Sequence, residues 1–272
     1  MTIAACDHAS ELVGQIPLVC PGIAPSDSLS VQAGALVAWL DESFEKMARV
    51  AGAKQIAVSD RIEKSILERA GFFESFSTEK LVDTHDSDAQ TPAACYQCYP
   101  HIAGQEVDDL GLWTCAAECG RNEDQPGIGR FRIFHMREIV LIGSAQRVQD
   151  QREAWMSKIS QLAKSLGLTV ELQRAGDCFF ATEETRGRRL LQQVKGLKFE
   201  LRVKSDGPCA GLAIASFNLH ETFFARRFGL KLRTGSEAYT GCIAMGLERW
   251  ALALIQKLGP DRAFALAGVR ST

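Results

Sequence analysis

Apolar residues recur at helical spacing from Ser30 to Ala51, in "SVQAGALVAWLDESFEKMARVA", among good helix formers, so this stretch predicts a helix. "KQIAVS" (Lys54 to Ser59) reads as a strand. Asp60 then stands as an N-cap with Glu63 as its capping-box partner, which predicts a helix running to Ala70 and ended by Gly71. "TEKLVDTHDSDAQTP" is polar connecting chain. "GRFRIFHMREIVLIGS" alternates and then turns apolar, which predicts a long strand. Gln146 to Leu166 is an amphipathic helix stopped by Gly167.

"LTVELQRA" and "LKFELRVKS" read as strands, with a short basic helix over 183–195 between them. "GLAIASFNLH" is a strand. "TGCIAMGLERWALALIQKL" starts as a strand and turns at Gly246 into a helix. Residues 1–30 show no clear period and read as irregular with a short strand. Strands dominate the second half, so the expected class is α+β with a mainly antiparallel sheet flanked by helices. Residues 1–272 are expected to form a single domain, with the helices over 146–166 and 183–195 as insertions.

Composition narrows the function classes. The chain has 272 residues, 46% hydrophobic and 24% charged, which suffices for a sizeable core. Its net charge of -2 argues against a general nucleic-acid binder. No apolar run approaches the roughly 18 residues a membrane span needs, so no membrane association is expected. "MTIAACDHASELVGQ" lacks a basic segment followed by an apolar one, so a cytoplasmic protein with reduced thiols is expected.

Nine cysteines make an odd number, and four of them cluster in "AACYQCYPHIAGQEVDDLGLWTCAAECGRNE". Cys95 and Cys98 are followed, after sixteen residues, by Cys115 and Cys119. Two close pairs can hold one tetrahedral zinc ion. Against that, the second pair has no Gly-Pro knuckle, and its apolar flanks read as strand. A redox C-x-x-C would open a helix after a strand, and "CYQCYP" has its proline at the wrong end. The plain alternative is buried thiols acting as small hydrophobes.

Three segments together resemble the catalytic core of class II aminoacyl-tRNA synthetases. "ECGRNE" with "GRFRIFHMREIVLIGS" resembles the second signature motif, "GCIAMGLERWALAL" the third, and "DRIEKSILERAGFFESF" the first, which builds a dimer interface. The order of "TPAACYQCYP", "FRIFHMREIVLIGS", "AGDCFF", "LKFEL", "ASFNLHETFF" and "GCIAMGLERWALAL" resembles a narrower group. These are the amino acid:carrier-protein ligases, truncated relatives of the zinc-dependent seryl-tRNA synthetases of methanogens.

The resemblance implies a catalytic zinc held by Cys95, Glu138 and Cys242, with Cys98 competing for the first place. Three protein ligands leave one zinc position free for a neutral substrate amine. It further implies ATP with magnesium. Arg121 would contact the α-phosphate and the amino acid carboxylate, and Arg249 the γ-phosphate and the adenine opposite Phe134. Glu123 would meet the adenine amino group or hold Arg121, and Glu200 is the acid available for magnesium or ATP. Asp177, Ser216 and Asn218 would line the amino acid pocket. Without the resemblance, Glu138 would read as an exposed carboxylate paired with Arg137.

The implied reaction is activation of a small amino acid, glycine or alanine, followed by transfer to the phosphopantetheine thiol of a small acidic carrier protein. A homodimer is implied. No tRNA is expected, since no tRNA-binding arm precedes the core. Carrier docking would fall to Arg147, Arg152, Lys158 and Lys164, or to Arg186, Arg188, Arg189 and Lys195. Three rival readings stand beside this one: a catalytically silent synthetase paralogue that binds or regulates, a tRNA-aminoacylating enzyme, and a four-cysteine zinc protein. Gly120 stands where an aromatic residue is common, and Cys178 where proline is usual.

Overall fold

The computed structural model describes residues 31–74, 76–122, 127–176 and 195–269. Glu123, Asp177, the N-terminal 30 residues and the basic helix expected over 183–195 lie outside them, save Lys195, which sits in a turn. Helix α1 (Val31–Val50) forms where the apolar spacing predicts it. It buries Leu36, Leu40 and Phe44 along one stripe, and full burial of such side chains stabilises by about 1.5–3 kcal/mol each.

Strand β1 (Lys54–Gln55) is only two residues long. The capping box expected at Asp60 and Glu63 does not form. Arg61–Glu63 is instead a strand, β2, and helix α2 begins at Lys64 and runs to Arg69. Two contacts account for this. The Asp60 carboxylate accepts the backbone N–H of Glu118 at 2.8 Å, which directs it toward that distant segment and away from the helix start at Lys64. Arg61 reaches Asp88 at 3.1 Å, drawing β2 against β3 (Asp88–Gln90), a strand inside the stretch expected to be connecting chain. Gly71 does end the helix, with φ +73°, a conformation that favours glycine. Helix α3 (Cys95–Ile102), which spacing alone did not predict, carries Cys95 and Cys98.

After the short β4 (Glu106–Val107) come the long strands β5 (Leu110–Gly120) and β6 (Ile133–Gly143). Then follow α4 (Ala145–Ser165), β7 (Val170–Arg174), β8 (Lys198–Val203), β9 (Ala213–Glu221), α5 (Phe223–Phe228) and β10 (Lys231–Leu232). The chain closes on β11 (Tyr239–Gly246), α6 (Leu247–Leu258) and α7 (Pro260–Leu266).

Among the described residues the main sheet has seven strands in the order β1-β5-β6-β11-β9-β8-β7, and within it only the β1–β5 pair is parallel. Side chains alternate across it, so each strand serves two layers. Ile139 and Leu141 of β6 and Ile243 and Met245 of β11 pack with α1, α4 and α6 in the larger core, where Phe44 meets Trp250 edge-on at 5.2 Å. Val140, Ile142 and Cys242 face the other way, into a smaller cluster with Cys98, Tyr99 and Phe224. The second face is incompletely covered, and the cleft described next opens there.

Candidate active site

Register aligns the residues of this sheet face in rows, part of which line the cleft and part of which are buried in the smaller cluster. Cys115, Glu138, Ala244, Ser216 and Glu200 stand opposite one another across five adjacent strands. The next row is Trp113, Val140, Cys242, Asn218 and Lys198. Helix α3 lies over these rows and adds Cys95, whose backbone N–H donates to Glu138 Oε1 at 3.1 Å.

The ligand atoms of Cys95, Glu138 and Cys242 all lie within 4.8 Å of one another, and all three residues are buried. Among the described residues no other group of three metal-capable side chains comes this close. Cys98 is not part of it: its sulfur sits 3.1 Å from that of Cys115, and both are fully buried. Cys119 is buried on the same strand as Cys115, so the two cysteine pairs do not converge as a four-thiol clasp.

Electrostatics make the fully ionised form of this cluster unfavourable without a cation. Burial, then the charge of Cys242, push the Glu138 carboxyl up to about 8. The hydrogen bond from Cys95 holds the Cys242 thiol well below its ordinary range, helped by His220 and Asn218. The same bond, burial and Glu138 push Cys95 well up. Three acidic groups in one dry site cannot all ionise unless a positive ion compensates them. Two sulfurs and one carboxylate suit a borderline-soft divalent ion such as zinc.

Glu138 is 1% exposed. Its neighbour Arg137 points to the opposite face and pairs with Asp41 at 2.6 Å, so the expected alternative of an exposed Glu138–Arg137 pair does not occur.

A cavity of about 1060 Å³ joins the cluster to Arg121, Phe134, Glu200, Ser216, Asn218 and Arg249, so the described candidates for ATP and the amino acid all line it, and Cys98 does not. The Arg121 guanidinium donates to the Pro92 carbonyl at 2.6 Å and lies over the Phe134 ring at 5.2 Å. The Arg249 guanidinium donates to the carbonyls of Gly129 at 2.8 Å and Ala213 at 3.2 Å, which anchors it in the cleft wall. Asn218 reaches Cys242 Sγ at 3.3 Å and Ser216 Oγ at 3.2 Å. Glu200 is held by Lys198 at 3.5 Å and by Arg202, two cleft cations the sequence reading did not single out. Gly120 is explained too: a Cβ there would stand 2.6 Å from Gln90 Cγ, so an aromatic side chain has no room.

The basic face expected on α4 is largely spoken for. Arg152 is buried and donates to the Gly196 carbonyl at 2.7 Å, and Arg147 pairs with Asp109 at 3.1 Å. Arg186, Arg188 and Arg189 lie outside the described residues.

This fold is similar to that of class II aminoacyl-tRNA synthetases. The seryl-tRNA synthetase of Pyrococcus horikoshii, solved with ATP, superposes with a TM-score of 0.71 over 89% of this chain and 57% of that one, at 16% identity. In sequence the chain is similar to the amino acid–acyl-carrier-protein ligases and, more distantly, to the type-2 serine–tRNA ligases. Ligase 1 of Bradyrhizobium diazoefficiens is 36% identical over 182 residues, 66% of this chain and 56% of the relative. The type-2 serine–tRNA ligase of Methanocaldococcus jannaschii is 27% identical over 181 residues, 62% of this chain and 34% of the relative. The chain thus spans about half the length of the curated ligases it matches. No protein-family model matches it. No helix among the described residues is long and apolar enough to cross a membrane.

Proposed function

We propose that this chain activates a small amino acid with ATP and passes it to the phosphopantetheine thiol of a carrier protein. The observation that supports this most directly is the shared cleft. The Cys95, Glu138 and Cys242 cluster opens into the same cavity as Arg121, Phe134 and Arg249, in a chain similar to amino acid–acyl-carrier-protein ligases.

Cys95, Glu138 and Cys242 would hold zinc. Zinc bound there supplies a Lewis-acid position for a neutral amine. Arg121 then orients the amino acid carboxylate toward the α-phosphorus of ATP. A carboxylate oxygen bonds to phosphorus, the bond to pyrophosphate breaks, and an aminoacyl-adenylate results. The guanidiniums of Arg121 and Arg249 offset the charge on the phosphate oxygens, and Phe134 offers a face to adenine. Ser216 and Asn218 line the amino acid end. Glu200, with Lys198 and Arg202, forms a mixed-charge set suited to polyphosphate and its magnesium. In the second half-reaction the acceptor sulfur loses its proton, bonds to the activated carbonyl carbon and releases AMP.

A small acidic carrier protein and a homodimeric assembly belong to the same reading, and tRNA does not. The test is pyrophosphate exchange with each of the twenty amino acids, then transfer to a phosphopantetheinylated carrier protein and to total tRNA. Exchange with glycine or alanine and label on the carrier protein alone are expected. No exchange with any amino acid would favour the silent paralogue, and label on tRNA would favour the tRNA-charging reading.

A further inference from the structure

His220 stands at an irregularity in the sheet. Along β9, Ser216 and Asn218 face the cleft by ordinary alternation. Opposite them, Gly241 pairs with Leu219 but Thr240 pairs with Glu221, so His220 is the extra residue of a bulge. Glu221 completes it at φ +51°, a left-handed backbone uncommon for a residue with a side chain. The strands approach closely here: a Cβ on Gly241 would stand 2.7 Å from the Asn218 carbonyl oxygen. Local strain of this kind collects at functional positions.

By the alternation that directs Ser216 and Asn218, His220 faces the cleft as well, and its Nε2 lies 3.7 Å from the Cys242 sulfur beside the bulge. The other ring nitrogen, Nδ1, faces the Tyr99 hydroxyl at 3.3 Å and the Thr240 hydroxyl at 3.4 Å. Phe224 abuts the ring edge-on at 4.8 Å. Nδ1 has one lone pair, and when a hydroxyl donates to it the ring carries its hydrogen on Nε2 and presents it to the sulfur; the Thr240 hydroxyl also reaches the Glu221 carbonyl at 3.5 Å. Cys242 then receives N–H groups from both Asn218 and His220.

We propose that His220 is a positioning residue, locked by Tyr99 and Thr240, whose Nε2–H orients the Cys242 sulfur for the metal. This rests on the metal-holding reading of Cys95, Glu138 and Cys242 given above. Partners of this kind behind a ligand typically change metal affinity by about 10–100-fold when removed.

The test uses the full chain with zinc or cobalt(II) alone. Zinc affinity is read by competition with a chromophoric chelator, and the cobalt form by its sulfur-to-metal charge-transfer band. His220→Leu should bind zinc about 10–100-fold more weakly, with a shifted band. His220→Gln, which can place an N–H near the Nε2 position, should keep affinity within roughly threefold of wild type and restore the band. Tyr99→Phe removes only a hydroxyl and should give a smaller shift in the same direction, which covers the case where His220→Leu does not fold. Wild-type affinity and an unmoved band in His220→Leu, or in Tyr99→Phe if His220→Leu is unfolded, would overturn the proposal alone. A wild-type chain that binds neither ion would overturn the metal reading beneath it.

Discussion

Arg137 and Glu138 are neighbours on one strand and serve opposite faces of the sheet. The Arg137 guanidinium is 3% exposed and grips Asp41 of α1 through two contacts of 2.6 Å, with Glu45 at 3.4 Å. It also donates to the Thr114 hydroxyl at 3.4 Å, which in turn donates to the Glu138 carbonyl at 2.9 Å. The helical layer thereby fixes the backbone from which the Glu138 carboxylate rises into the cleft. Arg137→Met should destabilise the protein by about 2–3 kcal/mol, below the usual cost of breaking a fully buried pair because Asp41 and Glu45 retain some solvent. The shift in the urea unfolding midpoint measures it, and an unchanged midpoint would refute this role.

Zinc retention separates the mixed cluster from the four-cysteine alternative. Cys95→Ser, Glu138→Ala and Cys242→Ser should each lose stoichiometric zinc after gel filtration, as read by elemental mass spectrometry. Cys98→Ala and Cys115→Ala should keep it, since their sulfurs pair with each other and not with the cluster. The reverse pattern would restore the local clasp.

The two cleft arginines carry the nucleotide prediction. Arg121→Ala and Arg249→Ala should each lower the pyrophosphate-exchange rate by roughly 10²–10³-fold, the scale for removing one preorganised charge-stabilising group. Each guanidinium donates to fixed backbone carbonyls, so lysine should rescue poorly at either position. Near-wild-type exchange in either lysine variant would count against that geometry.

What the sequence made legible follows from where the information lies. The strands β5, β6, β8, β9 and β11 declare themselves because one face is core and the other cleft. Alternation therefore survives, and continuous apolar runs appear where both faces are covered. The Asp60 capping box does not form because Arg61–Glu63 pairs as a strand with Asp88–Gln90, distant in sequence, and Asp60 meets the Glu118 N–H instead. The partner of Arg137 was invisible for the same reason, lying 96 residues away on α1. Cys95 and Cys98 could not be ranked by spacing, since both belong to one short helix. What separates them is the facing strand, where Cys115 takes Cys98 and leaves Cys95 to Glu138. Alternation from Ser216 and Asn218 puts His220 on the cleft face, but its neighbour Tyr99 comes from a helix 121 residues away, which no local pattern shows.

The pairing of His135 with Glu248 yields a pH dependence of stability whose sign is fixed. The Glu248 carboxylate accepts the His135 backbone N–H at 2.9 Å and its ring Nδ1 at 2.7 Å. That hydrogen bond, outweighing partial burial, raises the imidazole above its ordinary 6.5. A raised folded value means that the protonated ring favours the folded state. This contribution is complete below pH 6.5 and disappears as pH climbs through the folded value. Because the ring is half-exposed, the effect should stay under about 1 kcal/mol. The backbone contact persists in His135→Ala, so the variant should differ from wild type most at pH 5.5–6 and least near pH 9, a window set by a pKa raised above its ordinary range. Urea midpoints collected across that range would show the two curves converging as pH rises. Curves that stay parallel would mean the imidazole gains nothing from Glu248 in its charged form.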